Sequence, residues 1–499
     1  MKNLVLLHRW LGVVACVAVL MFAGSGILHP VMSRLQPQPA QFIPPRVELP
    51  ASVLPLRAVL DKNQIDEFSA ATLLQLPDNA AYRVQTGAGV RYLRADNGDE
   101  IGDGERKHAE YLARHFLHGQ LQETLHGANQ DKDSIGQPLA MTQAARIDNF
   151  DDDYVFVNRL LPVWRVEFAR DDGIRVYVDT AGNRLATLTD RPKRIFQTYF
   201  RALHNFEFLE GQPALRLTVM LVLLSSAFFT AVAGVVMYFR LRRASQRLQR
   251  LAVRRWHRRL SLAVAVVTFS FTLSGAWHLL QSQVEVATST PPPTLFQREE
   301  LGDVAIDQAF GLLRVAGKPC YRLNTAVQRG GEAEHEHHHP MPAGKPVATP
   351  VPDCIDTQSS QPVADALPTL AKQLARFYSG STAPMTTLEQ VTRFEGEYGF
   401  INKRLPVWKV QFEGDATRWY VEVASGALAL RADANAAREG WFFSIFHKAR
   451  FIVDPYKNLR DGFLMVVALG CIAVALLGLW MFIRQLLIQR SRRGDPIAV

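Results

Sequence analysis

Four stretches of about 20 residues without a formal charge constrain this chain more than anything else in it. They are Trp10–Leu28, Leu217–Phe239, Leu260–Leu280 and Phe463–Ile483. Each can cross a hydrocarbon layer of about 30 Å as a helix, which satisfies its own backbone hydrogen bonds in lipid. With 499 residues, the chain is also too long for one ordinary core. The reading is a four-span membrane protein whose long connections fold outside the lipid. The first apolar run is too long for a signal peptide and lacks a small-x-small cleavage site before Pro30, so it reads as a retained helix.

Charge orients the spans. Nine arginines fall between Arg240 and Arg259, in the run RLRRASQRLQRLAVRRWHRR. Such a run can mark nucleic-acid binding. Between two apolar stretches it reads instead as a cytoplasmic loop under the positive-inside rule, and no nucleic-acid partner is expected. The last span is followed by Arg484, Arg490, Arg492 and Arg493. Both termini are therefore expected in the cytoplasm and both long connections on the far side, the periplasm of a bacterium. The expected division is helices within 1–30, 213–240, 260–281 and 461–485, outer domains at 31–212 and 282–460, an Arg-rich loop at 241–259 and a tail at 486–499.

The two halves align. His8-Arg9 and Ser25-Gly26-Ile27-Leu28-His29 match His257-Arg258 and Ser274-Gly275-Ala276-Trp277-His278 at one constant offset. Tyr154, Phe156 and Asn158 match Tyr398, Phe400 and Asn402, and LPVWRVEF at Leu161–Phe168 matches LPVWKVQF at Leu405–Phe412 without a gap. Val176–Asp179 pairs with Trp419–Glu422, His204 with His447, and Gly234 and Arg240 with Gly478 and Arg484. So many blocks in one register indicate an internal duplication. Each half reads as helix, outer domain, helix, entered from the same side, so a pseudo-two-fold axis along the membrane normal follows.

The outer domains read as α+β. Trp164, Val166 and Phe168 alternate with Arg165 and Glu167, the period of a half-buried strand. IRVYVDTAGNRL reads as a strand entering a Gly-containing turn. Asp303–Gly317 has apolar residues at helical spacing and is expected to be a helix. No nucleophile elbow, paired catalytic carboxylates, dinucleotide fingerprint or Walker A run is present. The spans carry no Asp, Glu or Lys of the kind that marks an ion pathway.

Of 14 histidines, six occupy aligned positions that flank the spans: His8 and His257, His29 and His278, His204 and His447. His8 and His29 are 21 residues apart, about 31 Å of helical rise, so they lie at opposite edges of a bilayer. A histidine at a headgroup often does nothing chemical. Six at matched positions in two layers point instead to neutral imidazoles as axial ligands of haem iron. Gly24, Ser25 and Gly26 beside His29, and Ser274, Gly275 and Ala276 beside His278, would let a flat macrocycle or a neighbouring helix come close. His204 and His447 precede their spans by over a dozen residues and could serve only to dock the aromatic segments FQTYF and GWFFSIF.

Other histidines read differently. His335, His337, His338 and His339 cluster in a Pro/Gly-rich insertion of the second half only, either a transition-metal site or a solvated loop. The insertion lies between Cys320 and Cys354, which the outer compartment permits to bridge, although spacing alone does not show that they meet. His108, His115, His118 and His126 lie in a polar stretch and are expected at the surface.

The HRWLG start, the SG-x-x-H ends of the first and third spans, the Leu/Phe-His ahead of the second and fourth, and the strand around Val176-Tyr177-Val178-Asp179 resemble the PepSY-associated transmembrane family. The resemblance covers nearly the whole chain. It is similar to iron-regulated bacterial inner-membrane proteins, one branch of which comprises haem-containing ferric-siderophore reductases. The resemblance implies periplasmic PepSY domains and haem b held by membrane histidines, which fall on His8, His29, His204, His257, His278 and His447; two or more haem groups, each with two histidine ligands, are the expectation built on it.

The function expected on this basis is an inner-membrane electron conduit, an oxidoreductase that reduces periplasmic ferric iron in a siderophore or another metal chelate and releases Fe(II). Its electrons would come from a separate donor, a cytoplasmic reductase or a quinol. The rival readings are a PepSY binding or regulatory module without redox activity and a metal or siderophore permease. The lack of charges within the spans weighs against the permease.

Overall fold

The computed structural model describes residues 2–118, 140–240, 252–281, 291–306, 308–323, 353–452 and 456–493. Among the described residues the α-helices are α1 (Lys2–Leu35), α2 (Leu56–Lys62), α3 (Gly104–His118), α4 (Arg191–His204), α5 (Pro213–Arg240), α6 (Ala252–Gln281), α7 (Ala366–Ser379), α8 (Ala434–Phe446) and α9 (Lys457–Arg493). The chain divides into two compact units, one from Met1–Gln36, Pro192–Val286 and Asn435–Val499, the other from Pro37–Arg191 and Ala287–Ala434.

The first unit is a helix bundle. α1, α5, α6 and α9 are each long and apolar enough to cross a membrane. α1 packs along α5 and α9, and α6 packs along the same two. Small residues let the helices approach: Ala15 and Ala18 of α1 are buried with Met220, Leu223 and Ala227 of α5. The outward faces carry exposed Val266 and Val466, which suits a surface solvated by lipid. α6 begins at Ala252, inside the Arg-rich segment, because arginine is a good helix former and nothing there breaks the backbone pattern. The amphipathic α4 and the aromatic-rich α8 precede α5 and α9.

The second unit is rich in β-structure. Met141–Ile147, Val163–Phe168, Arg175–Asp179 and Arg184–Thr189 form an antiparallel four-stranded sheet in chain order. Met385–Val391, Val407–Phe412, Arg418–Glu422 and Ala427–Ala432 form another. The two carry bulges at aligned places, Tyr177/Val178 and Tyr420/Val421. α3 packs Leu112 and Phe116 on the first sheet, and α7 packs Ala375 on the second.

A six-stranded sheet is drawn from both halves, in the order Cys354–Asp356, Lys318–Leu323, Phe310–Val315, Ala70–Gln75, Ala80–Thr86, Gly89–Arg94. The halves join where Gly311 pairs with Thr72. Each three-stranded piece would otherwise leave an open edge, and pairing removes both. Arg184 strengthens the connection. Its guanidinium bonds Asp179 at 2.8 Å and Glu422 at 2.7 Å, and Glu422 also accepts from Arg404 at 2.6 Å.

Two sequence expectations are corrected here. The segment Asp303–Gly317 is not helical: Phe310–Val315 is a strand. Phe310 and Leu312 enter one core cluster while Leu313 and Val315 enter another. A strand buried on both faces has no polar side, so its apolar run imitates helical spacing. His108 and His115 are not surface residues. His108 is fully buried, bonded to the Tyr92 hydroxyl at 3.0 Å and to Asn183 at 3.0 Å. His115 is buried against the Ile43 carbonyl at 2.8 Å. Both lie on the face of α3 turned to the core, which the polar composition of the helix conceals.

Candidate functional site: the histidine layers of the helix bundle

The six aligned histidines all belong to the helix-bundle unit. At one end of the bundle, His8 on α1 directs Nδ1 to the Thr230 carbonyl of α5 at 3.1 Å. His257 on α6 does the same to the Val474 carbonyl of α9, also at 3.1 Å. One turn beyond each carbonyl stands a glycine. A Cβ on Gly234 would lie 3.4 Å from Cε1 of His8, and one on Gly478 would lie 3.3 Å from Cε1 of His257. The glycines let each imidazole lie against the neighbouring backbone. The two rings are within electrostatic range of each other.

At the other end, His204 Nδ1 meets the Ser25 hydroxyl at 3.0 Å and His447 Nδ1 meets the Ser274 hydroxyl at 3.1 Å. Ser25 donates its own proton to the Met21 carbonyl at 2.6 Å, and Ser274 donates to that of Phe271 at 3.3 Å. Each serine oxygen therefore remains an acceptor for the imidazole N–H. Phe200, one turn before His204, stacks on that ring at 4.7 Å and 12°. Phe443 stacks on His447 at 4.4 Å and 13°. The two imidazoles stand 6.3 Å apart between ring centroids. Burial pushes His204 down to about 4 and His447 to about 3, so both are neutral at ordinary pH.

His29 and His278 flank this pair and are more exposed. His29 lies 6.1 Å from Phe200 between ring centroids. His278 stacks on Phe443 at 4.2 Å, and its Nδ1 meets Glu439 Oε1 at 2.7 Å.

These residues fit a haem. Four imidazoles have Nδ1 engaged by a carbonyl or a hydroxyl oxygen and His278 by a carboxylate, which fixes the tautomer and leaves Nε2 for a metal. Two metal–nitrogen bonds of about 2 Å plus the two ring radii span about 6 Å, the separation of His204 and His447. Among the described residues no three His, Cys, Asp or Glu side chains converge as they would on a bare metal ion. Paired imidazoles suit a macrocycle that supplies the remaining ligands itself.

The insertion histidines His335, His337, His338 and His339 lie outside the described residues. Cys320 and Cys354 form a disulfide, with Cα atoms 5.9 Å apart. The sequence shows the six histidines and the aromatic segments that contain Phe200 and Phe443, but not Ser25 and Ser274 as acceptors, nor Glu439. The aligned Phe200 and Phe443, each four residues before a histidine, were a usable signal. Glu439 had none, because the position aligned with it is Phe196.

Four helices long and apolar enough to cross a membrane, with aligned histidines at both ends of their bundle and joined to sheet-rich segments, define an integral membrane module. The chain belongs to the PepSY-associated TM family, whose pattern matches residues 5–485. No curated protein matches it.

Proposed function

We propose that the chain is a haem-bearing electron conduit of a bacterial inner membrane that reduces ferric iron in a siderophore on the periplasmic side and so releases Fe(II). The observation that carries this reading is the twofold repetition of an oriented imidazole pair, one at each end of the bundle. Haem b held by two neutral imidazoles supplies a one-electron couple with no open coordination position. His8 and His257 would hold one such group. His204 and His447, flanked by His29 and His278, would hold one or two more.

The protein's own residues do the remaining work. The Thr230 and Val474 carbonyls and the Ser25 and Ser274 hydroxyls lock each ring's orientation. Phe200 and Phe443 cover the outer rings and exclude water. His8 and Ser25 are 17 residues apart on α1, about 26 Å of rise, so one site cannot serve both membrane faces. Electrons enter from a separate donor, a cytoplasmic reductase or a quinol. The substrate gains one electron, and Fe(II) is held more weakly than Fe(III) by hard oxygen ligands.

The test is the visible spectrum of the detergent-purified chain made in haem-replete cells. Low-spin b-type bands in a reduced-minus-oxidised spectrum are expected. A folded protein without stoichiometric porphyrin would refute the conduit and leave the PepSY binding module. Single alanine replacements at the six histidines then identify the ligands.

A further inference from the structure

One difference between the two histidine sets bears directly on a ring nitrogen. In the first half, α4 presents Phe196, Phe200 and His204 one turn apart; in the second half the aligned residues are Glu439, Phe443 and His447. A carboxylate therefore stands where the first half has a ring. It does not face solvent. The Glu439 side chain is 16% exposed, and Oε1 lies 2.7 Å from His278 Nδ1. Phe443 holds the other side of the arrangement, stacked on both His278 and His447. Lys448, 5.2 Å over the Phe443 ring, lies within electrostatic range of Glu439 and supplies a counter-charge.

The acceptors on four of the other rings are weaker. His8 and His257 donate to neutral carbonyls, and His204 and His447 to neutral hydroxyls. A hydrogen bond to a charged acceptor is roughly twice as strong as one to a neutral acceptor. A carboxylate on Nδ1–H pushes electron density towards Nε2 and makes the imidazole a stronger donor to a metal. Stronger donation stabilises the ferric over the ferrous state and lowers the reduction potential.

We propose that Glu439 is a positioning residue: through His278 it makes an iron site at the outer end of the bundle more reducing than its ligands alone would. The inference rests on the haem reading above. It also gives the asymmetry a purpose. Ferric iron in a hard-oxygen chelate is difficult to reduce, so the site that passes the electron outward benefits from the lower potential. Of the two aligned positions, Phe196 and Glu439, only the second carries a carboxylate.

The experiment is a redox titration with low-temperature EPR on the full-length chain in detergent, wild type against Glu439→Gln, Glu439→Asp and His278→Ala. The expected result for Glu439→Gln is retained haem, one potential moved upward, a changed low-spin signal for that haem, and no change at the site of His8 and His257. Glu439→Asp should fall between the two, and it decides the matter if the glutamine variant loses haem. His278→Ala should perturb the same haem as Glu439→Gln. Potentials and EPR signals identical to wild type in the Glu439 variants would overturn the inference, as would every haem unchanged in His278→Ala. A wild-type chain without haem would instead overturn the reading on which the inference rests.

Discussion

Gly478 faces the imidazole of His257 so closely that a Cβ placed on the glycine would stand 3.3 Å from Cε1 of the ring. Gly234 stands in the same relation to His8 at 3.4 Å. In both cases the imidazole bonds the carbonyl one turn earlier on the helix that carries the glycine. A methyl group would need a shift of only a few tenths of an ångström, but a branched side chain would expel the ring. Gly234→Leu and Gly478→Leu should each therefore cost about one haem per chain while leaving the helical circular dichroism intact. The haem-to-protein ratio by pyridine haemochrome measures this. Full haem content in both variants would show that His8 and His257 are not ligands.

The buried charges of the sheet unit make a prediction independent of haem. Burial alone would raise the Glu422 carboxyl, but the guanidinium groups of Arg184 and Arg404 overrule it and hold the group well below the usual carboxylate range. Glu422→Gln leaves the largely enclosed Arg184 and Arg404 without their shared anion, with Asp179 still on Arg184. Breaking such a cluster costs about 3–5 kcal/mol. Glu389→Gln, which removes the solvent-exposed partner of Lys409, should cost about 0–1 kcal/mol. Thermal denaturation of the two variants under one condition gives the comparison. Equal melting temperatures would mean that the Arg184 cluster contributes no more than a surface pair.

The disulfide offers a second stability test. Cys320 and Cys354 are 34 residues apart, and the cross-link removes closure entropy from the unfolded chain. For a loop of that size the chain-entropy model gives about 3–4 kcal/mol. A Cys320→Ala/Cys354→Ala chain should melt lower than wild type, and reductant should lower the wild type to the same value. Spectra of the helix bundle should not respond, since the bridge belongs to the other unit.

Which parts of this molecule could be read from its sequence follows from the range of each interaction. The long apolar helices were legible because lipid solubility is written in runs of about 20 residues, and the six histidines because they recur at positions that align between the two halves of the sequence. The acceptors were not, because Ser25 meets His204 across 179 residues and His8 meets a backbone carbonyl that has no side-chain signature. Phe310–Val315 was misread because a strand buried on both faces lacks the alternation that identifies strands. The joining of the halves at Gly311 and Thr72 was hidden for a related reason: a single backbone pairing places no demand on side-chain type.

His108 shows how a misread residue becomes a measurable pH response. Burial lowers its imidazole to about 3 against an ordinary 6.5, and the ring is fixed between Tyr92 and Asn183. Below pH 6.5 the unfolded chain takes up a proton that the folded chain refuses until about pH 3. The contribution to stability is therefore complete above pH 6.5 and falls as the pH drops through that window, by about 1.4 kcal/mol per unit. The loss should appear first in α3, which carries the residue, and in Gly89–Arg94, which carries Tyr92. Hydrogen exchange of these two segments, corrected for intrinsic rates, should show protection declining from pH 7 to 5. In His108→Gln the overall protection should be lower but its decline with pH nearly absent, because no imidazole remains to be charged. A wild-type profile as flat as that of the variant would mean that His108 accepts its proton within the folded domain.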